Sequence, residues 1–423
     1  MAKETSILET KTFDTAEKKE KIILVAVATS DGDDTEQSLI ELEELGQTAG
    51  AETVAKVIQN REKLHPATYI GKGKIEEVKK LICSTKADTV VCDDELSPAQ
   101  YYNLEEALDI KVIDRTIMIL DIFAKRASTS EGKLQVELAQ LRYRASHLTG
   151  GRSELSRLGG GIGTRGPGEQ KLEMDRRLIK ERITQVRKEL EHVKHVRELT
   201  RKKRQENPVP VVAIVGYTNA GKSTLLNKLT GAGVLSEDKL FATLDPVTRR
   251  LELESGGEIL FTDTVGFIRK LPHHLIQAFR GTLEEAKYAD VILHIADCSN
   301  PDMDAQMCTV YDTLEKLGIG DKKIVTAFNK IDLADENIQL KDLKADKTVK
   351  ISAKNGTGLD ILIDTLTEVL KEGKKIIEKI FPYSEASKIN EIHKVGQIMK
   401  EEYEGDGIYI KAEIPAEYMY MFD

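Results

Sequence analysis

The sequence predicts a multidomain α/β protein, and three patterns along its 423 residues carry that reading. Up to Ile113, short apolar runs alternate with helical patterns, as in a largely parallel sheet flanked by helices. Two later stretches repeat apolar residues at steps of four and three, the pattern of paired helices. Beyond them a glycine-rich phosphate-binding turn stands between an apolar strand and a helix. The expected organisation is an N-terminal α/β domain (1–130), an antiparallel helical hairpin (131–206), a P-loop domain (207–372) and a small C-terminal α/β segment (373–423). A chain of this length exceeds one core, and 40% hydrophobic residues suffice for several. No apolar run approaches a membrane span, and Met1 to Glu20 is polar with no signal-peptide core, so a cytoplasmic protein is expected.

In the first domain, Ile22 to Thr29, Glu52 to Gln59, Thr89 to Cys92 and Ile110 to Ile113 read as strands. Helical patterns lie at Thr35 to Leu45, Lys74 to Ile82 and Ala99 to Leu108. Tyr69-Ile70-Gly71-Lys72-Gly73-Lys74 opens a helix and reads as a structural turn, with a second nucleotide or RNA site as the alternative. Cys83, Cys92, Cys298 and Cys308 lack C-x-x-C spacing and suit neither a zinc site nor a disulfide framework.

The hairpin is built on Leu134, Leu138, Leu141, Ala145 and Leu148, answered by Ile179, Ile183, Val186, Leu190 and Val193. The joining segment, Gly150 to Glu169, is rich in glycine and carries Arg152, Arg157 and Arg165. From Lys133 to Arg204 there are 19 Lys and Arg against 9 Asp and Glu, a local charge of +10. The net charge is −9, so the rest of the chain carries −19. An acidic body with one cationic arm is the mark of a protein that meets a polyanion, and a mobile glycine–arginine tip suits RNA. Arg201-Lys202-Lys203-Arg204 reads as a basic linker into the next domain.

The phosphate turn is Gly216-Tyr217-Thr218-Asn219-Ala220-Gly221-Lys222-Ser223-Thr224, after the strand Val211 to Val215 and before the helix Leu225 to Leu229. Gly216 and Gly221 let backbone N–H groups converge on phosphate oxygens, and the helix N-terminus adds donors and partial positive charge. Lys222 supplies a cation for the β- and γ-phosphates, and Ser223 a hydroxyl for Mg²⁺. Asn329-Lys330-Ile331-Asp332 follows the strand Ile324 to Phe328 and selects the base. Asp332 can accept from guanine N1–H and its exocyclic amine; adenine would leave a buried carboxylate unpaired. Asn329 would meet the base edge and brace the loop, the Lys330 stem would cover the base, and Ser352-Ala353-Lys354 would offer N–H groups to the guanine oxygen. The expected ligand is GTP.

Two segments would sense the γ-phosphate. Phe241-Ala242-Thr243-Leu244-Asp245 reads as a mobile loop, with Thr243 the candidate Mg²⁺ ligand and Thr248 the weaker one. Asp263-Thr264-Val265-Gly266 ends the strand Ile259 to Thr262; Asp263 would hold Mg²⁺ through water and the Gly266 N–H would bind the γ-phosphate. Lys222, Thr243 and Gly266 are thus assigned to the reaction itself. Phe267 stands where many GTPases carry a water-orienting glutamine, so slow intrinsic hydrolysis and a macromolecular activator are expected. The C-terminal segment reads as a strand from Ile376 to Phe381, an amphipathic helix from Ser387 to Tyr403 and a strand from Ile408 to Ile414.

With these residues in place, the chain resembles the HflX-type GTPases of bacteria, from about Ile22 to Met421. The resemblance rests on Thr68 to Lys74, on the Gly160 to Glu169 loop with Leu172-Glu173-Met174-Asp175-Arg176-Arg177, on Phe241 to Pro246 and on Asp263 to Phe267. It implies binding to the large ribosomal subunit and its RNA, stimulation of GTP hydrolysis there, and splitting or rescue of stalled ribosomes under stress. A monomer off the ribosome is expected, with no DNA partner. Resemblance to related GTPases also implies that Asn219 could help coordinate K⁺, bracing of the backbone being the alternative. A rival reading is a nucleotide-regulated RNA-remodelling or ribosome-assembly protein without obligatory turnover.

Overall fold

The computed structural model describes residues 19–29, 34–148, 167–204, 209–231, 240–253, 257–270, 275, 285–334, 339–372, 374–405 and 407–422. The N-terminal domain is a parallel sheet of β1 (Lys21–Ala28), β2 (Glu52–Asn60), β3 (Thr89–Cys92) and β4 (Lys111–Asp114) in the order β2-β1-β3-β4. Helices α1 (Thr35–Ala49), α2 (Lys72–Thr85) and α3 (Pro98–Leu108) connect the strands as the alternating pattern predicts. A further helix, α4 (Arg115–Arg126), has no counterpart in the sequence reading. It starts directly at the end of β4, so no loop residue separates the strand from the helix. Asp114 turns the chain by accepting the Ile117 N–H at 3.0 Å, and Met118, Ile119, Ile122 and Phe123 are buried.

Helices α5 (Ser130–His147) and α6 (Pro167–Arg204) pack as the expected hairpin. The pairs Arg182–Glu137 and Arg197–Glu131 run in opposite senses along the two helices, so they are antiparallel. Ile179, Ile183, Val186, Leu190 and Val193 are buried or half-buried, while their helical neighbours such as Lys180, Arg187 and Lys188 are exposed. Two boundaries differ from expectation. The second helix begins at Pro167, taking in Gly168 and Glu169, because a proline without an N–H and with fixed φ suits a first helical turn. It also continues through Arg201 to Arg204, which are therefore a helix end and not a linker. The tip at 149–166, with Arg152, Arg157 and Arg165, lies outside the described residues.

The P-loop domain is a six-stranded sheet, β10-β9-β8-β5-β7-β6, formed by β5 (Val211–Gly216), β6 (Val247–Glu252), β7 (Glu258–Asp263), β8 (Val291–Asp297), β9 (Lys323–Asn329) and β10 (Lys347–Lys350). Only β6 runs antiparallel, against β7. Helices α7 (Lys222–Thr230), α8 (Met303–Lys316) and α9 (Leu359–Lys371) belong to this domain. The C-terminal segment is a three-stranded antiparallel sheet, β11 (Lys374–Phe381), β13 (Gly407–Pro415) and β12 (Gln397–Glu404), with α10 (Ala386–Val395) against it. The single helix expected from Ser387 to Tyr403 is thus corrected. Gly396 leaves the helix in an extended conformation, and the following residues pair with β13, so sheet pairing overrides the amphipathic pattern.

The three larger units share one apolar core. Leu39 and Phe123 of the N-terminal domain, Val136 and Tyr143 of α5, and Phe241, Leu244 and Phe267 of the P-loop domain belong to a single buried cluster. The nucleotide domain therefore does not hang from a linker; its loops are packed onto the amino-terminal half.

Candidate nucleotide site

A cleft of about 390 Å³ opens where β5, β7 and β9 end, the edge at which parallel α/β sheets bind ligands. The loop from β5 to α7 forms its floor. Gly221 takes φ 96°, and a side chain there would collide with Asn329 Nδ2, so the close approach of two loops requires glycine. Lys222 is buried, with Nζ donating to the carbonyls of Gly216 at 3.1 Å and Tyr217 at 2.7 Å. Burial pulls its pKa down to about 8, with Asp263 opposing the shift.

Three oxygens from separate segments, the start of α7, the loop before β6 and the end of β7, meet beside it. Ser223 Oγ lies 2.8 Å from both Thr243 Oγ1 and Asp263 Oδ2, and Thr243 Oγ1 is 3.0 Å from Asp263 Oδ2. Asp263 is fully buried, and its Oδ1 has no protein partner. Burial raises its pKa against Lys222 and the two hydroxyls. Two hydroxyls and a carboxylate with a spare lone pair are hard oxygen donors, and the set fits a small divalent cation such as Mg²⁺ that keeps water and phosphate in its shell. Thr248 is elsewhere, on β6, with its hydroxyl 3.0 Å from that of Thr262.

On the opposite side, Asn329 knits two loops together: its Nδ2 donates to Ala220 O at 2.8 Å and its Oδ1 accepts the Ala353 N–H at 2.9 Å. Lys330 has φ 65° and its ammonium pairs with Asp297 at 2.7 Å. Asp332 lines the cleft but is exposed, which differs from the buried carboxylate of the sequence argument; a base would have to cover it. A hydrogen bond from the Ser352 side chain lowers its pKa. Thr218, Asn219, Thr224, Phe241, Ala242, Thr264, Gly266 and Lys354 also line the cleft. The side chains of Ala220, Leu244, Val265 and Ile331 join the surrounding apolar packing instead. Phe267 is likewise in the core, while its backbone N–H bonds Gly216 O at 3.1 Å and its carbonyl accepts from Thr218 N at 2.8 Å.

Asp245 is the clearest departure from the sequence reading. Its carboxylate turns from the cleft to the start of α5, accepting from the N–H groups of Ser128 and Thr129 at 2.9 Å and from their hydroxyls at 2.6 and 2.5 Å. Burial would raise its pKa, but these bonds prevail and lower it. A second link went unseen in the sequence. Arg115, almost wholly buried, donates to Glu41 at 2.6 Å, Asp93 at 2.9 Å, Ser38 O at 2.9 Å and Arg269 O at 3.1 Å. Glu41 also accepts from the Tyr217 hydroxyl, which in turn accepts the Arg269 N–H at 2.9 Å. Lys270 pairs with Asp93 at 2.5 Å and Asp94 at 2.8 Å. Side-chain identity alone offered no signal for these pairings, whose partners lie far apart along the chain.

Comparison with known proteins matches three consecutive families. Residues 36–124 match the GTP-binding GTPase N-terminal family, 126–204 the GTP-binding GTPase middle region and 211–330 the 50S ribosome-binding GTPase family. The chain is similar to GTPase HflX of Lacrimispora saccharolytica, 63% identical over 408 residues and covering 96% of each chain. It is also similar to GTPase HflX of Caldanaerobacter subterraneus, 50% identical and covering 95% of this chain and 92% of the other. GTPase HflX of Escherichia coli is 42% identical, with 93% of each chain covered. Among solved structures, a complex of SsGBP with GDP is 25% identical with a TM-score of 0.48, covering 83% of this chain and 99% of that one.

Proposed function

Because the chain belongs to the HflX family of GTPases, we propose that it is a factor of the large ribosomal subunit whose grip depends on which guanine nucleotide it holds, and that it splits or rescues stalled ribosomes. The phosphates lie on the turn from Gly216 to Thr224, with Lys222 moving from its two carbonyls to the β- and γ-oxygens. Ser223, Thr243 and Asp263 are the residues that would hold Mg²⁺, Asp263 through water, and the ion would supply charge stabilisation for phosphoryl transfer. Asp332 reads guanine, with Ser352 to Lys354 at the carbonyl edge. The Gly266 N–H meets the γ-phosphate. Phe267 has its ring in the core and offers no hydrogen bond to water, so intrinsic turnover is slow and the ribosome completes the site.

The observation that carries this reading is the bond set of Asp245. Two residues after Thr243, it holds the root of the basic hairpin. Loss of the γ-phosphate frees Thr243, and with it the hairpin's anchor on the nucleotide domain. On the hairpin, burial and the neighbouring Arg187 lower the pKa of Arg142. The N-terminal domain and hairpin are the ribosome-facing parts, and the body remains in the cytoplasm as a monomer between encounters.

The test is GTP hydrolysis with and without purified large subunits, paired with pelleting in GDP and in a non-hydrolysable GTP analogue. Stimulated turnover and tighter association with the analogue are expected. Equal association in both nucleotides with no stimulation would reject the reading and favour an RNA-remodelling protein. Rates in matched KCl and NaCl separate a K⁺ site at Asn219 from simple bracing of the loop.

A further inference from the structure

Thr218 carries an enclosed hydroxyl that no protein group satisfies. The residue is 6% exposed, and its Oγ1 has neither solvent nor a hydrogen-bond partner in the protein. Such groups are rare in folded proteins because an unmet hydroxyl keeps its full desolvation penalty. Asp263 Oδ1 is also enclosed and unmet at this cleft, and the proposed metal shell accounts for it. Thr218 has no such explanation.

Its surroundings supply one. Thr218 lines the cleft together with Lys222 and Gly266. A Cβ built on Gly266 would stand 2.8 Å from Thr218 Cγ2 and 3.0 Å from Lys222 Nζ, so the threonine methyl branch, the lysine head and the Gly266 backbone converge on one small region. The Cγ2 branch faces Gly266; a step between staggered χ1 wells brings Oγ1 to that place. The Thr218 backbone is fixed meanwhile by its N–H bond to Phe267 O at 2.8 Å. Phe267 itself, the residue after Gly266, has its ring buried in the core.

We propose that the Thr218 hydroxyl is a positioning residue for hydrolysis, accepting a hydrogen bond from the attacking water beside the γ-phosphate. This rests on the reading of the cleft given above. The water oxygen forms the new bond to γ-phosphorus, the bond from that phosphorus to the β,γ-bridging oxygen breaks, and the water proton leaves with inorganic phosphate or to solvent. Threonine keeps its own proton and only orients the nucleophile. The hydroxyl does the part of the task that a glutamine performs in other GTPases.

The experiment compares the full-length protein with Thr218→Val and Thr218→Ser in GTP titration, single-turnover hydrolysis and nucleotide-free melting. Thr218→Val should slow hydrolysis roughly 10- to 100-fold while GTP affinity stays within about threefold. Thr218→Ser should recover most of the loss. Because valine removes an unmet polar group, its nucleotide-free Tm should equal or exceed the original, which separates a lost reaction contact from a damaged fold. Hydrolysis by Thr218→Val at the original rate, equal losses in both variants, or a loss confined to GTP affinity would each overturn the inference. If the unmodified protein failed to bind GTP, the reading of the cleft would fall first and this proposal with it.

Discussion

Lys222 and Asp332 both line the cleft and make separable demands on the nucleotide. The lysine is buried with its ammonium held by two carbonyls, so it is prepared to meet phosphate without reorganising the turn. Lys222→Ala removes a charge-assisted contact to two phosphates and should weaken GTP binding by roughly 100-fold or more in a fluorescence titration. Retained affinity would refute its role. In the proposed reading Asp332 selects the base, and it should then act only there. Asp332→Asn should weaken GTP by roughly 10- to 100-fold and favour xanthine nucleotides, since an amide offers guanine a mismatched donor. Competition between GTP and XTP measures this directly. The place of both residues in the cleft was legible in the sequence because each belongs to a motif compressed into a few consecutive positions. Asn329 was only half legible. Its bracing of Ala220 and Ala353 joins three loops, and that geometry exists only once the sheet has brought them together.

The elements around the cleft show where a linear reading runs out. A helix-capping aspartate is normally sought within a few residues of the helix it caps. Asp245 meets the backbone N–H groups of Ser128 and Thr129 from more than a hundred residues away, and Gly132 leaves room that a side chain would take from it. The motif therefore pointed to the nucleotide when the carboxylate points to α5. For the same reason α4 went unseen, its start hidden against β4, and β12 was read as helix because its partner strand comes later in the chain. Asp245→Ala should cost about 2–3 kcal/mol, since it leaves hydrogen-bond donors at the α5 start unmet, and urea unfolding reports it. Asp245→Asn tests the charge. The folded pKa is lowered, so the ionised carboxylate stabilises the fold above the unfolded value near 3.9 and loses that contribution as pH falls through the folded value. The stability gap between the original and Asp245→Asn should hold steady from neutral pH to about 4 and shrink below it. A gap that instead widened in acid would contradict the assignment.

At the scale of the whole molecule, the long hairpin would magnify at its far end any small tilt at its root. Helix α6 has 38 residues and spans about 57 Å, so a 5° tilt at its root moves the distal end by about 5 Å. The root is held from two sides. Asp245 holds the start of α5, and Arg197 of α6 pairs with Glu131 of α5 and, at 3.6 Å, with Glu285 of the P-loop domain. The Arg115 network ties the amino-terminal domain to the turn at Tyr217 and to Arg269. The sequence showed the unequal charge of arm and body, though not this coupling, which depends on buried partners contributed by both halves. If the arm meets RNA through ion pairs, its exposed cations must appear in the salt dependence of ribosome binding. Lys180, Arg187 and Lys188 are exposed on α6, and replacing all three by glutamine removes up to three phosphate contacts without touching the apolar seam. Pelleting with large subunits across a salt series should then show weaker association and a log–log slope shallower by about 2 to 3. A weaker affinity with an unaltered slope would mean that these side chains shape the hairpin and do not contact phosphate; an unaltered affinity and slope would place the RNA-facing surface elsewhere on the molecule.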